Sequence, residues 1–189
     1  MNITITTATL NKNTAIHYLD EIVAIELDTS KELGMSYGIP WGKENFVVDL
    51  PGKWKFSSVA YIDKKLAGYL IMSKWGNNIH GHRMAMVAGL SGRNRVNLAK
   101  DLYEQTKLAA IESGIDTVTA IVPENNLPTQ KFYQREGFKL LSDELLNDFI
   151  KGRKMDAYFD KNIMIDTIPV EGEPHRSFVF QLKYESDNL

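Results

Sequence analysis

The chain has 189 residues, with 22 Lys+Arg against 24 Asp+Glu for a formal net charge of −2, and is 43% hydrophobic. That is the profile of one soluble globular domain around a single core, and near-neutral charge excludes nucleic-acid binding driven by a dominant positive field. With no cysteine, disulfides, thiolate nucleophiles, Cys-ligated zinc and iron–sulfur clusters are excluded together.

The first ten residues alternate Ile with Thr and carry no basic leader, so they predict a half-buried strand rather than a signal peptide. No apolar run is long enough to span a bilayer. A cytoplasmic protein without a membrane partner is expected. Ile16, Leu19, Val23 and Leu27 recur at three- and four-residue steps and predict one amphipathic helix over residues 13–27. Residues 36–42 (SYGIPWG) read as a loop, and residues 44–49 as a short helix ended by Pro51-Gly52. Three strands follow, at residues 55–62, 66–74 and 79–88, joined by the polar connections 63–65 and 76–78 as an antiparallel meander. Residues 94–113 predict a helix with Leu98, Leu102, Gln105 and Ala109 on one stripe and Gly114 as its stop. Thr117 to Val122 alternates as a strand. Asn126 caps a helix that carries Pro128 in its first turn and ends at Gly137. Beyond Phe138 the pattern weakens: residues 141–151 suit a helix, 154–174 have no clean period, and 177–184 form a last strand. Strands and helices in this order indicate a mixed α/β (α+β) sheet.

Chemistry concentrates between residues 79 and 138. A strand, then Gly89-Leu90-Ser91-Gly92-Arg93-Asn94-Arg95, then a long helix form a unit that suits phosphate. Free N–H groups and partial positive charge gather at a helix N-terminus. Arg93 and Arg95 would add charge-assisted bonds. A plain strand-to-helix turn with solvated arginines is the competing reading. His80 and His82, two apart in a strand, share a face. A metal held there needs a third ligand, and no Asp, Glu or His nearby supplies one.

Residues 56–138 resemble the GNAT (Gcn5-related N-acetyltransferase) superfamily. The resemblance is carried by His80-Gly81-His82-Arg83-Met84-Ala85-Met86-Val87 as the central strand, by Gly92 to Asn97, and by Asn126 followed by Phe132-Tyr133 and Gly137-Phe138. It implies a twisted, mostly antiparallel mixed sheet flanked by helices and splayed open between its fourth and fifth strands. The acetyl-CoA pantetheine arm would lie in that cleft against the fourth strand, near Met86, Val87 and Ala88. The pyrophosphate would sit on Gly92, Arg93, Asn94, Arg95, Val96 and Asn97. The family's loop reads Arg/Gln-x-x-Gly-x-Gly/Ala, and here Arg95 and Asn97 stand at its small positions.

The resemblance makes Tyr133 the general acid that protonates the departing thiolate. Asn126 and Phe132 would touch the CoA arm, and His82 would be the candidate general base. Each has a competing structural role: Tyr133 as a buried aromatic, Asn126 as a helix cap, His82 on the sheet's outer face. The acceptor site would be formed by Tyr37, Trp41 and Glu44 together with residues 142–176, a stretch that the family lacks. A homodimer contact is the other reading of 142–176. The expected function is transfer of an acyl group from acetyl-CoA to the primary amine of a small molecule, an amino sugar foremost. The alternative is a non-catalytic module of the same fold with a degenerate CoA loop.

Overall fold

A computed structural model describes residues 4–34, 39–141, 157–160, 163–170 and 173–184. The described strands are β1 (Ile5–Thr9), β2 (Ser58–Ile62), β3 (Lys65–Trp75), β4 (Asn78–Met86), β5 (Thr117–Pro123), β6 (Lys139–Leu140), β7 (Ala157–Asp160), β8 (Ile163–Val170) and β9 (Glu173–Lys183). They form one sheet in the order β1-β2-β3-β4-β5-β9-β8-β7, with β6 also paired to β9. Among the described residues every pairing is antiparallel except β4 with β5. The helices are α1 (Lys12–His17), α2 (Leu19–Leu33), α3 (Lys43–Val47), α4 (Lys53–Phe56), α5 (Gly92–Glu112) and α6 (Leu127–Arg135).

Both faces of the sheet centre are covered. Leu70 and Met72 of β3 pack with Leu98 and Leu102 of α5 and with Phe132 and Tyr133 of α6. Tyr69 and Ile71 point the other way, into a second core with Ala15, Ile22, Ile25 and Phe46 from α1 to α3. That is why β3 reads as a continuous apolar run rather than an alternating one. At Gly68, α5 comes so near that an added Cβ would stand 2.9 Å from Leu98 Cδ2 and 3.0 Å from the Ala85 carbonyl oxygen. We expect Gly68→Val to cost about 1–3 kcal/mol through overpacking, measured as a lower urea midpoint with an unchanged slope.

Several expectations are corrected. The helix over 13–27 is two helices broken at Tyr18, and the second runs on to Leu33. The side chain of Asn11 caps the first, accepting from the Thr14 N–H at 2.9 Å. The buried face is Ala15, Ile22, Ile25, Glu26 and Thr29, while Ile16 and Leu27 are 54% and 43% exposed. The strand expected from residue 55 starts at Ser58, because residues 53–56 form α4. The Lys53 ammonium is buried and donates to the carbonyls of Asn45, Phe46 and Val48 at 3.0, 2.9 and 2.9 Å, closing the end of α3. Burial pulls its pKa down to about 8. On α5, the inward stripe is Leu98, Ala99, Leu102, Tyr103, Thr106 and Ala110, not the one through Gln105 and Ala109. The stretch 154–174 is not irregular throughout: it supplies β7 and β8, and the last strand begins at Glu173. Residues 142–156, which carry all but the first residue of the helix expected over 141–151, lie outside the described residues.

Candidate active site

The parallel pair β4–β5 is held at three positions only, Ile79 with Val118, His80 with Thr119 and Gly81 with Ala120. Past Gly81 the strands part, although β5 stays paired to β9 along its whole length. The cause is local. Opposite β3, Gly81 pairs with Met72 and Arg83 with Ile71, so His82 is the extra residue of a β-bulge. A bulge bends its strand and increases twist, which turns β4 away from β5. The cleft so opened holds about 560 Å³ of space continuous with solvent. Its walls include Gly81 to Met84, Ile121 to Pro123, and Asn126, Thr129 and Tyr133.

The end of β4 presents backbone to this opening. Val87 N–H donates to the Ala67 carbonyl at 2.9 Å, on the β3 side. Alternation along an antiparallel ladder therefore turns the polar groups of Met86 toward the parted edge. There the Met86 carbonyl accepts from Thr29 Oγ at 3.2 Å. An extended chain laid in the cleft would meet this edge.

The predicted phosphate segment is corrected in form. Gly92 to Asn97 is not a loop but the first turns of α5, whose cap is Ser91. The Asn94 N–H donates to Ser91 Oγ at 3.4 Å, and the first helical bond runs from the Arg95 N–H to the Ser91 carbonyl at 2.9 Å. The connection from strand to helix is thus Val87, Ala88, Gly89 and Leu90, with Gly89 at φ +79°. Gly92 and Arg93 present their N–H groups in the first turn, ahead of the helix's own ladder. Arg95 does not join them. Both its terminal nitrogens donate to the Glu32 carboxylate at 2.8 Å, which ties α5 to α2. This hydrogen bonding holds the Glu32 carboxyl below its ordinary pKa. Val96 packs against the core beneath α5, and Asn97 is exposed. Arg93 is exposed at the helix start.

On α6, Asn126, Thr129 and Tyr133 line the cleft. Asn126 is also the cap, its Oδ1 accepting from the Thr129 N–H at 3.2 Å. Gln130 Nε2 donates to the carbonyls of Pro123 and Glu124 at 2.9 and 2.7 Å, fastening the helix to the end of β5. Phe132 is turned away from the cleft, into the aromatic core against Tyr103 and Tyr133. Tyr133 stacks on Phe180 with centroids 5.7 Å apart. Its hydroxyl shares a hydrogen bond with that of Tyr103. Burial raises the Tyr133 pKa to about 12, against a lowering by the Tyr103 bond, so the phenol is protonated at neutral pH.

Across the cleft, His82 Nε2 lies 2.6 Å from Ser73 Oγ. The His80 ring stands 5.0 Å from that of His82, and His80 Nδ1 is 3.0 Å from Thr119 Oγ1. His80 is buried in the sheet, whereas His82 reaches the cleft. Among the described residues no group of His, Asp and Glu is arranged to hold a metal ion, and no helix is long and apolar enough to cross a membrane.

Beside the cleft lies a buried ion pair that the residue pattern had not marked. Glu26 of α2 is completely buried. It accepts from the Tyr69 hydroxyl and from the Trp41 N–H at 2.8 Å, and it pairs with Arg83 Nε at 3.1 Å. Arg83 also donates to the Ile39 carbonyl and lies 5.3 Å from the centroid of the Trp41 ring. Helix α2 and strand β4 thereby clamp residues 39–41 beside the cleft, and the Trp41 ring stands 6.4 Å from that of His82. Tyr37 lies outside the described residues. The signal was present: one acid inside the helical stripe Ile22, Ile25, Glu26, Thr29, and one base in an otherwise apolar strand end. Two such interruptions are a candidate buried pair.

No family model matches the chain, and no curated protein matches it. Many solved structures do. The ribosomal-protein-S18-alanine N-acetyltransferase from Escherichia coli superposes at TM-score 0.66 with 14% identity, over 98% of this chain and 99% of that one. The PaiA N-acetyltransferase from Thermoplasma acidophilum, solved in complex with coenzyme A, gives 0.64 and 15%, over 96% and 99%. An acetyltransferase of the GNAT family from Staphylococcus aureus Mu50 gives 0.63 and 13%, over 96% and 100%. With its parallel β4–β5 pair opening into a cleft beside a capped helix, the chain has the fold of the GNAT acetyltransferases.

Proposed function

We propose that this protein is an acyl-CoA-dependent N-acyltransferase, with acetyl-CoA as donor and the primary amine of a small molecule as acceptor. The observation that carries the reading is the parted β4–β5 edge with a protonated phenol on one wall and an imidazole on the other. The neighbour solved with coenzyme A adds support for the donor.

The residues present suit coenzyme A. The backbone of Met84 and Met86 faces the opened edge, and the first turn of α5 with Arg93 offers N–H groups and positive charge to a pyrophosphate. The thioester supplies an activated acyl carbon. An alkylamine carries a proton at neutral pH, with a pKa near ~10, and must lose it before attack. His82 is placed to accept that proton, and Ser73 holds its ring. As the nitrogen–carbon bond forms the nitrogen sheds its second proton to solvent, the carbon–sulfur bond breaks with the electron pair on sulfur, and Tyr133 gives its phenol proton to that sulfur. The clamped segment 39–41 walls the acceptor side. An amino sugar is the acceptor to test first.

The test is thiol release from acetyl-CoA in the presence of glucosamine, an amino acid, spermidine or a peptide with a free N-terminus. Amine-dependent release supports the reading. Absence of CoA binding would overturn the reading in favour of the non-catalytic module with its degenerate CoA loop, and tight CoA binding without release to any amine would overturn acyl transfer to these acceptors. Because Arg95 is held by Glu32, we expect Arg93→Ala to weaken CoA binding about tenfold, the loss of one charge-assisted bond. Calorimetric titration reads this directly. Unchanged affinity would place the phosphates elsewhere.

A further inference from the structure

We propose that Tyr103 is a positioning residue for the proton donor: its hydroxyl donates to the Tyr133 oxygen, turns the Tyr133 proton toward the cleft and steadies the phenolate left when that proton departs. This rests on the reading of Tyr133 as the acid. Tyr103 stands on α5 and Tyr133 on α6, with rings 5.8 Å apart at 80°. Both are buried, at 9% and 5% exposure, and their hydroxyls are in hydrogen-bond contact.

Two hydroxyls that share one bond can be arranged in two ways, and counting partners selects between them. Tyr103 does not line the cleft, and among the described residues its hydroxyl bonds only to Tyr133. A buried O–H needs an acceptor. The Tyr133 oxygen is the one within its reach. Tyr133 reaches the cleft wall, so its own proton has somewhere else to go. Were the bond reversed, the Tyr103 proton would be buried without an acceptor and the Tyr133 proton would point into the core.

The electrostatics agree. Burial drives the Tyr103 pKa well above the ordinary value for a phenol, so it remains a donor throughout. Its bond lowers the Tyr133 pKa while burial raises it. A buried phenol is a weaker acid than an ordinary thiol, whose pKa is near ~8.5, so transfer to the thiolate needs help at the phenol oxygen. In that step the carbon–sulfur bond breaks and sulfur keeps the electron pair. The Tyr133 O–H bond then breaks as sulfur takes its proton, and the negative charge rests on the Tyr133 oxygen against the Tyr103 O–H. Solvent restores the Tyr133 proton after the thiol leaves.

The experiment compares Tyr103→Phe, Tyr133→Phe and the double variant, using acetyl-CoA and an amine turned over in the panel above. For Tyr103→Phe we expect kcat to fall about tenfold, with the KM for acetyl-CoA within about twofold of wild type. The double variant should match Tyr133→Phe alone, because an acid that is absent cannot be assisted. 3-Fluorotyrosine at position 103 keeps the ring and the donor and should hold kcat within about twofold of wild type, which covers the case in which the Phe variant folds poorly. Wild-type kcat in Tyr103→Phe, or a double variant whose loss is the product of the two single losses, would overturn the positioning role. Wild-type kcat in Tyr133→Phe is a separate outcome and would overturn the acid reading itself.

Discussion

Tyr133→Phe is expected to lower kcat by ~10²–10⁴-fold, the usual worth of a placed general acid, while leaving the KM for acetyl-CoA nearly unchanged. In the proposed mechanism the phenol is used only as the thiolate departs, so its loss is expected to fall on the transition state rather than on binding. Phe keeps the ring that stacks on Phe180 and packs on Phe138 at 4.7 Å, which isolates the hydroxyl. The change also strips the Tyr103 hydroxyl of its acceptor, which costs about 1–3 kcal/mol of stability. Denaturation alongside steady-state kinetics separates the two effects. Loss of stability with wild-type turnover would return Tyr133 to a packing role.

The second large effect is on stability. Glu26→Ala is expected to cost about 3–5 kcal/mol, because it leaves the Arg83 guanidinium in the wall without its carboxylate. It also removes the acceptor of the Tyr69 hydroxyl and of the Trp41 N–H. Glu26→Gln keeps an acceptor oxygen and should cost less. Urea unfolding measures both. Because the same carboxylate fixes the backbone of Trp41, the Gln variant should raise the acceptor KM more than the acetyl-CoA KM. Equal stability of wild type and Glu26→Ala would contradict this and mean that the variant leaves no uncompensated buried charge at Arg83.

Much of the architecture was legible in the sequence, for identifiable reasons. The meander β2–β3–β4 and the helix α6 carry strong local signals: residues 63–64 turn through left-handed backbone at φ 49° and 67°, and Asn126 with Pro128 marks a helix start. The inward face of α2 was misjudged because a buried carboxylate stands where the apolar pattern expects a hydrophobe. Hydrophobic periodicity cannot register Glu26 as core, since its burial depends on Arg83, 57 positions away.

The cleft shows the same division. Asn126 and Tyr133 sit on the cleft wall of α6, at positions that the motif spacing had marked. Arg95 was read as a phosphate ligand because charge alone does not reveal a partner, and Glu32 comes from a different helix. Gly92 suggested a loop, yet Ser91 caps the helix one residue earlier. The bulge at His82 has no local signature: it exists only in the register between β3 and β4. Residues 154–174 showed no clean period, and their strands β7 and β8 are defined by pairing outward from β9.

The proposed activity requires that the parted edge of β4 and the start of α5 hold coenzyme A. Hydrogen–deuterium exchange of the full chain, with and without saturating coenzyme A, tests this most directly. Slowed exchange is expected at the amides of Met84, Met86, Gly92, Arg93 and Asn94, with little change in β1, β2 and β7. Unchanged exchange at those five amides, or protection confined to another surface, would contradict it.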